Sequence, residues 1–354
     1  MIKANIMGLF GKDYSRKLML SILGILLGLF FGGVIIFLQG VNPLYAYYYL
    51  INGAVGSSQA IISSILKTIP LGIVGLAVIF AYKAGIFNIG GEGQFYLGSI
   101  GATIVGTIPL PISQVAHVIL CLLAAIIFGG FFAAIPGYLK AYRGFNEIIT
   151  TMLLNYIAIL FTSYLLQGPL REPGTYYNRS SSLQPTALLS PIITGTRLHF
   201  GLIIFLVLAI IIYFVFKKST LGFRLENVGM NKRAAFYAGE NTKRLMLLAM
   251  CVSGAIAGIA GAVEIMGVNG ALVENFVVGI GYDGIAVALL ASLNPLGAIL
   301  SAFFFGALRN GANSMQISIG ISSAFVYIIQ ALAVFFVVLI PGVPRFIRKY
   351  KGVK

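Results

Sequence analysis

The stretch Gly284-Ile285-Ala286-Val287-Ala288-Leu289-Leu290-Ala291-Ser292-Leu293-Asn294-Pro295-Leu296-Gly297-Ala298-Ile299-Leu300-Ser301-Ala302-Phe303-Phe304-Phe305-Gly306-Ala307-Leu308 carries no charged side chain. Read as one helix it is long enough to cross a bilayer, for which ~20 apolar residues suffice. Read with a break at Asn294-Pro295-Leu296-Gly297, it becomes two pieces, because Pro removes a backbone donor and Gly relaxes the chain. Each piece is then about a dozen residues and ~18–20 Å long, short for a crossing. Eight other apolar stretches are clear spans: Leu18–Leu38, Ala60–Tyr82, Ile86–Ile108, Val115–Leu139, Glu147–Gln167, His199–Phe216, Leu245–Gly267 and Ser318–Ile340. One more makes nine, and nine is the wrong parity. Lys3, Lys12, Arg16 and Lys17 mark the N-terminus as cytoplasmic, and Arg345, Arg348, Lys349, Lys351 and Lys354 mark the C-terminus likewise. An even count requires the break, as a re-entrant hairpin or as two short helices. The expected fold is an all-α polytopic membrane protein with about ten transmembrane segments, including that broken pair, and with both termini cytoplasmic. On this topology nineteen of the 24 Lys and Arg residues are cytoplasmic; Lys67, Arg171, Arg179, Arg197 and Arg309 lie outside or near the outer face.

Composition agrees. Hydrophobic residues fill 59% of 354 positions and charged residues 9%, against ~45–50% and ~25% in soluble proteins. No soluble chain hides that much apolar surface. The net charge of +15 sits in short runs between apolar spans, where it sets orientation, and no nucleic-acid-binding pattern accompanies it. Cys121 and Cys251 lie inside spans without metal-site spacing. Leu18–Leu38 is longer than an ordinary signal-peptide core and no A-x-A site follows, so it reads as an uncleaved first helix. The chain divides into an N-terminal cytoplasmic segment (1–17), one transmembrane domain (18–341) and a basic cytoplasmic tail (342–354). The domain carries an external loop (168–197) and a long cytoplasmic loop (217–244).

Two short segments echo each other. Ile89-Gly90-Gly91-Glu92-Gly93 and Ile280-Gly281-Tyr282-Asp283-Gly284 both read I-G-x-acid-G and both lead into apolar runs. The first follows the second crossing on the inner side, and the second follows the seventh on the outer side. A five-plus-five inverted repeat produces that arrangement, and Gly-interrupted segments at matching positions mark the path in such folds. Glu92 and Asp283 then sit near helix N-termini, as caps or as path residues.

Several motifs now converge. Ala84-Gly85-Ile86-Phe87-Asn88-Ile89-Gly90-Gly91-Glu92-Gly93-Gln94 resembles the A-G-x-F-N-I-G-x-E-G-Q signature of ABC importer permeases of the nucleoside and simple-sugar branch, akin to ribose and branched-chain amino-acid permeases. Gly144-Phe145-Asn146-Glu147-Ile148 through Leu154-Asn155-Tyr156 is similar to a second segment of that family. Thr220-Leu221-Gly222-Phe223-Arg224, with Gly229, Asn231, Ala234, Ala235, Tyr237, Ala238 and Gly239, resembles its long cytoplasmic loop. Ser253–Ala262 and Ala286–Gly297 also fit. The resemblance implies a permease subunit that carries nucleosides, with simple sugars such as ribose second. It implies a cytoplasmic ABC ATPase that binds ATP and Mg, a second related permease, and an extracytoplasmic substrate-binding protein, lipid-anchored in Gram-positive relatives. The chain itself needs no cofactor and is not an enzyme. Its nearest approach to a P-loop, Gly8-Leu9-Phe10-Gly11-Lys12-Asp13, has the wrong spacing and Asp where Ser or Thr is required.

Within this frame loop 217–244 is the candidate ATPase contact, through Thr220, Gly222, Arg224, Gly229, Asn231, Ala234, Ala235, Tyr237 and Gly239. Asn231 can cap a short helix from Lys232 to Ala238 and Gly239 can end it. A short amphipathic helix can lie in a groove on a partner. Polar residues at membrane depth are the candidates for the translocation pathway: Asn88, Glu92, Gln94, Asn155, Glu264, Asn269, Asp283 and Asn294. Amide partners suit an uncharged, hydroxyl-rich solute, and Phe87 or Tyr156 suits a nucleobase by stacking. Asn88 equally fits a cap on a broken helix, and Asn294 a hairpin turn. The glycines spaced by four in Gly24, Gly28 and Gly32, and those at Gly254, Gly258 and Gly261, read as close-packing faces. In the outer loop Arg171, Arg179 and Arg197 face only Glu172, a basic surface for an acidic binding protein. An ion-coupled secondary carrier is the alternative from another class, since broken helices occur there too.

Overall fold

The computed structural model describes residues 12–322 and 324–339, so Lys3 and the basic tail lie outside the described residues. The chain divides into two compact units, one of residues up to Ser64 with those from Ala307 onward, the other Ile65–Gly306. All regular elements described are helical. In order they are α1 (Lys12–Leu38), α2 (Pro43–Val55), α3 (Ser58–Lys83), α4 (Gly91–Gly106), α5 (Gln114–Arg143), α6 (Glu147–Gln167), a 3-10 turn (Pro185–Ala187) and α7 (Gly201–Lys218). Then come α8 (Thr220–Met230), α9 (Lys232–Tyr237), α10 (Thr242–Glu264) with a π turn (Ile265–Asn269), α11 (Ile280–Leu290), α12 (Gly297–Ile319) and α13 (Ala324–Leu339). Among the described residues, α3, α5, α6, α7 and α10 with its π turn are long and apolar enough to cross a membrane.

In the larger unit, α3, α4 and α10 form the centre, most of their residues being buried. α5 instead leaves Val115, Ile119, Leu123, Ile127 and Phe131 exposed along one stripe, as a lipid-facing helix must. The centre is drawn tight by glycine. A Cβ added at Gly258 of α10 would lie 2.3 Å from the Ala125 carbonyl oxygen of α5, and one at Gly98 of α4 would lie 2.3 Å from the Gly258 Cα. Helix backbones therefore touch, which maximises dispersion contact where lipid removes the hydrophobic drive. In the smaller unit, Gly24, Gly28 and Gly32 of α1 pack against Val337, Ala333 and Ile329 of α13, which bears out the small-face reading.

Several boundaries correct the sequence reading. The span Ile86–Ile108 is helical only from Gly91, and the seven residues before it are irregular. The run Gly284–Leu308 does break at Asn294, but unequally, because α12 continues to Ile319. Arg309 is consequently mid-helix, with its guanidinium 5.9 Å from the Tyr327 ring centroid, rather than beyond a helix end. The last helix starts at Ala324, not Ser318. Helix α2 was not foreseen; Asn42 caps it by accepting from the Leu44 N–H, and Ala46, Leu50 and Ala54 form its buried stripe. Helix α8 was also missed.

Candidate functional site

The segment 84–90 leaves α3 through Gly85 at φ +74°; backbone bonds from Ala84, Gly85 and Ile86 close the end of α3, and side chains hold the remainder. Asn88 makes an Asx turn, its Oδ1 accepting from the Gly90 N–H at 2.9 Å. Its Nδ2 donates to Gln94 Oε1 and to Ser253 Oγ, both at 2.8 Å. The Ser253 hydroxyl donates onward to the Ala77 carbonyl at 2.7 Å. From α6, Asn155 accepts from the Gly93 N–H at 2.8 Å and donates to the Ile89 carbonyl at 2.9 Å. Asn88, Gln94, Asn155 and Ser253 are all buried. Asn88, Gln94 and Ser253 bond to one another and Asn155 bonds to the backbone of the same segment, and such pairing is what makes a polar cluster tolerable when buried.

Glu92 joins this cluster to the second echo. Neither α4 nor α11 has a side-chain cap of its own; their N-caps are Gly90 and Gly279. The Glu92 carboxylate reaches across and accepts from the Gly279 and Gly281 N–H groups, each at 2.7 Å. The residue is 2% exposed. A Cβ added at Gly281 would lie 2.4 Å from the Glu92 amide nitrogen, so the two helix starts are in backbone contact. From there the helices diverge. The far end of α4 meets loop 168–197, where the Gln184 N–H donates to the Gly106 carbonyl. The far end of α11 turns at 291–296 beside Lys83, Tyr213, Lys217 and Glu226, lining a cavity of about 340 Å³.

Residues 270–279 lead from the π turn down to this junction as a strap. Leu183 and Ser180 donate backbone N–H groups to Gly270 and Leu272. Phe276 stacks on Phe95, and the Tyr96 hydroxyl donates to the Val277 carbonyl at 2.7 Å. Glu274 accepts from the Ser163 hydroxyl and, at 2.6 Å, from Asn178 Nδ2. Nearby, Arg179 pairs with Glu172 at 2.5 Å, so that arginine is already engaged within its own loop. Arg171 donates to the Thr175 carbonyl, and Arg197 is exposed.

At the opposite end the long loop is a folded module. Gly222 lies so close to the end of α7 that a Cβ would sit 2.1 Å from the Val215 carbonyl oxygen. Gly229 of α8 packs on the exit of α3, where a Cβ would sit 2.2 Å from the Lys83 carbonyl oxygen and 2.9 Å from the Gly85 nitrogen. Lys83 and Glu226 pair across the same contact at 2.5 Å. Asn231 caps α9, accepting from the Arg233 and Ala234 N–H groups, and Gly239 follows at φ +87°. Arg224 Nε donates to both Glu240 oxygens, at 3.0 and 2.8 Å. Thr220 opens α8 behind the Ser219 cap. Ala235 is buried, Ala234 is exposed, and Phe223, Met230, Phe236 and Tyr237 each stand exposed, with the Phe236 and Tyr237 rings packed edge to face.

The structure thus gathers Asn88, Glu92, Gln94 and Asn155 into one cluster, with Ser253 as a member that sequence reasoning missed. Asp283 lies in the first turn of α11, half-buried. Glu264 ends α10, and Asn269 is exposed at the end of the π turn, apart from the cluster. Asn294 belongs to the far turn, its Oδ1 accepting from the Leu296 N–H at 3.0 Å. Tyr156 is exposed on α6, while Phe87 packs edge-on against Tyr82. Half of the second motif is turn chemistry: Gly144 ends α5, Asn146 caps α6, and Glu147 pairs with Lys140 at 2.6 Å. Among the described residues no group of His, Cys, Asp and Glu could hold a metal ion.

Residues 60–343 match the family model described as branched-chain amino acid transport system / permease component. The chain is 38% identical over 325 residues to the guanosine ABC transporter permease protein NupP of Bacillus subtilis, covering 90% of this chain and 92% of the relative. It is 31% identical over 353 residues to the nucleoside ABC transporter permease protein NupB of Lactococcus lactis subsp. cremoris, covering 96% of each. It is 33% identical over 340 residues to the glucose ABC transporter permease protein TsgB13 of Haloferax volcanii, covering 93% of this chain and 88% of the relative.

Proposed function

The chain belongs to the branched-chain amino acid transport system / permease component family, and from that premise we propose that it is the membrane subunit of an ATP-driven importer of nucleosides. As a permease component it is an integral protein of the cell membrane and not an enzyme. Permeases of this family work with an ATPase and an extracytoplasmic binding protein. For this chain we propose a cytoplasmic ATPase that binds ATP and Mg, a lipid-anchored binding protein, and a second, related permease subunit. The solute assignment follows the guanosine and nucleoside permeases it resembles. A simple sugar is the second reading, favoured by the glucose permease.

One observation carries the mechanism: α8 sits with Gly229 directly on the backbone of Lys83 and Gly85. That backbone runs without helix into Asn88 and Glu92. A push on α8 and α9 from a partner is therefore delivered in a few residues to the junction of α4 and α11. Phe223, Met230, Phe236 and Tyr237 supply an apolar docking face of the kind that marks a protein partner. Asn88, Glu92, Gln94, Asn155 and Asp283 then frame the pathway, and Glu264, Asn269 and Asn294 border it. Segments 84–106 and 270–290 each count as one crossing made of an irregular stretch and a half-helix. With them the chain makes ten crossings, both termini on the cytoplasmic side, in a five-plus-five inverted repeat. The domain limits 1–17, 18–341 and 342–354 follow from that count. In support, α4 and α11 meet start to start and run apart, as inverted halves do.

The test is uptake of labelled uridine, guanosine, ribose, glucose and leucine in cells carrying this chain with its partner genes. Uptake of nucleosides that stops when the ATPase gene is deleted is expected. Accumulation by the purified chain alone in liposomes under an ion gradient would replace this reading with a secondary carrier.

A further inference from the structure

Two helix starts brought together make an anion site almost by default. Each first turn offers unpaired N–H groups and a partial positive charge of roughly half an electron. Broken-helix carriers use such starts to hold the charged group of a solute. Here α4 and α11 meet at their starts, and neither is capped locally. The place where a solute anion would bind is already filled, by the Glu92 carboxylate with its 2.7 Å bonds to the Gly279 and Gly281 N–H groups.

We infer that Glu92 is a specificity-determining residue: it is a built-in anion that occupies the junction and denies it to negatively charged solutes. Two further observations point the same way. The backbones at Glu92 and Gly281 are closely packed, a Cβ added at Gly281 lying 2.4 Å from the Glu92 nitrogen and 2.9 Å from its Cα, so a second anion has no room beside the first. The other side chains hydrogen-bonded around the break, Asn88, Gln94, Asn155 and Ser253, are uncharged. A junction so furnished offers a phosphate monoester neither open positive charge nor the Gly279 and Gly281 donors, and it accepts a neutral ring with hydroxyls. Applied to solutes, this rests on the nucleoside reading, and it deepens that reading to nucleosides over nucleotides.

Glu92→Ala should vacate the site and leave the two N–H donors open. The experiment titrates formate and acetate into the purified wild type, Glu92→Ala and Glu92→Ser, and follows thermal unfolding. Both variants should melt lower than wild type without anion. Their melting temperatures should rise with the logarithm of anion concentration, as a ligand bound only by the folded state requires, while wild type stays flat. Glu92→Ser serves if the alanine variant does not fold. Variants that ignore both anions, or a wild type that responds equally, would overturn the inference whatever the solute is. In the complete transporter, uridine 5′-monophosphate should compete with uridine uptake about tenfold better in Glu92→Ala than in wild type, the ratio expected from one charged contact. A purely structural cap would leave that ratio unchanged, and an unchanged ratio counts against the specificity role. If variants bind formate yet wild type takes up no nucleoside, the nucleoside reading falls and the built-in anion stands.

Discussion

Asn155 holds two backbone groups of the broken segment at once, the Gly93 N–H and the Ile89 carbonyl. Asn155→Ala strands both in a buried site, and stranding costs about 1–3 kcal/mol per group. Its melting temperature in detergent should fall by several degrees and uptake should fall with it, whereas Tyr156→Ala, on the exposed face of α6, should leave melting unchanged. Equal melting of both variants would remove Asn155 from the frame of the pathway.

At the element scale the contrast between α8 and α9 is instructive. The cap at Asn231 and the stop at Gly239 were legible, because capping is chemistry between near neighbours. So was the break at Asn294-Pro295. Helix α8 was not, since Thr220–Met230 has mixed polarity and is held by Gly222 and Gly229 against other segments. Residues 86–90 fall inside the apolar span Ile86–Ile108 for the same reason. They contain no Pro, and the bonds of Asn88 to Ser253 and of Asn155 to Ile89, between residues far apart in sequence, hold them unwound together with the local Asx turn. Ala235 also changes meaning. As the buried residue of α9, Ala235→Asp would place an unpaired charge under the helix and unfold the module, so lost uptake there would not by itself report docking. Phe236→Ala with Tyr237→Ala touches only exposed side chains. That double variant should reach the membrane in normal amount, melt normally, and bind the ATPase at least tenfold more weakly, as truncating two anchor residues at ~1–2 kcal/mol each implies. Normal ATPase binding would move the docking face elsewhere.

The whole molecule is oriented by its charges, and that yields the most direct check on its topology. Lys217, Lys218, Arg224, Lys232, Arg233, Lys243 and Arg244 fall within 28 consecutive positions, and short basic loops of this kind stay on the cytoplasmic side during insertion. Segment 168–197 is folded differently, pinned to residues 270–274 by backbone hydrogen bonds, with Tyr176 99% and Tyr177 78% exposed. If α7 crosses once, 177 and 237 lie on opposite sides, and if 270–290 also crosses once, the tail lies on the side of 237. If 270–290 is instead a hairpin that returns, everything after it inverts and the tail falls outside. The measurement is single-cysteine labelling by a membrane-impermeant maleimide in intact cells, with Cys121 and Cys251 replaced by alanine. Tyr177→Cys should label in intact cells, Tyr237→Cys only after permeabilisation, and a cysteine added after Lys354 only after permeabilisation. External labelling at 237 would break the link between α8 and an ATPase. External labelling of the tail alone would leave that link intact and return the crossing count to nine.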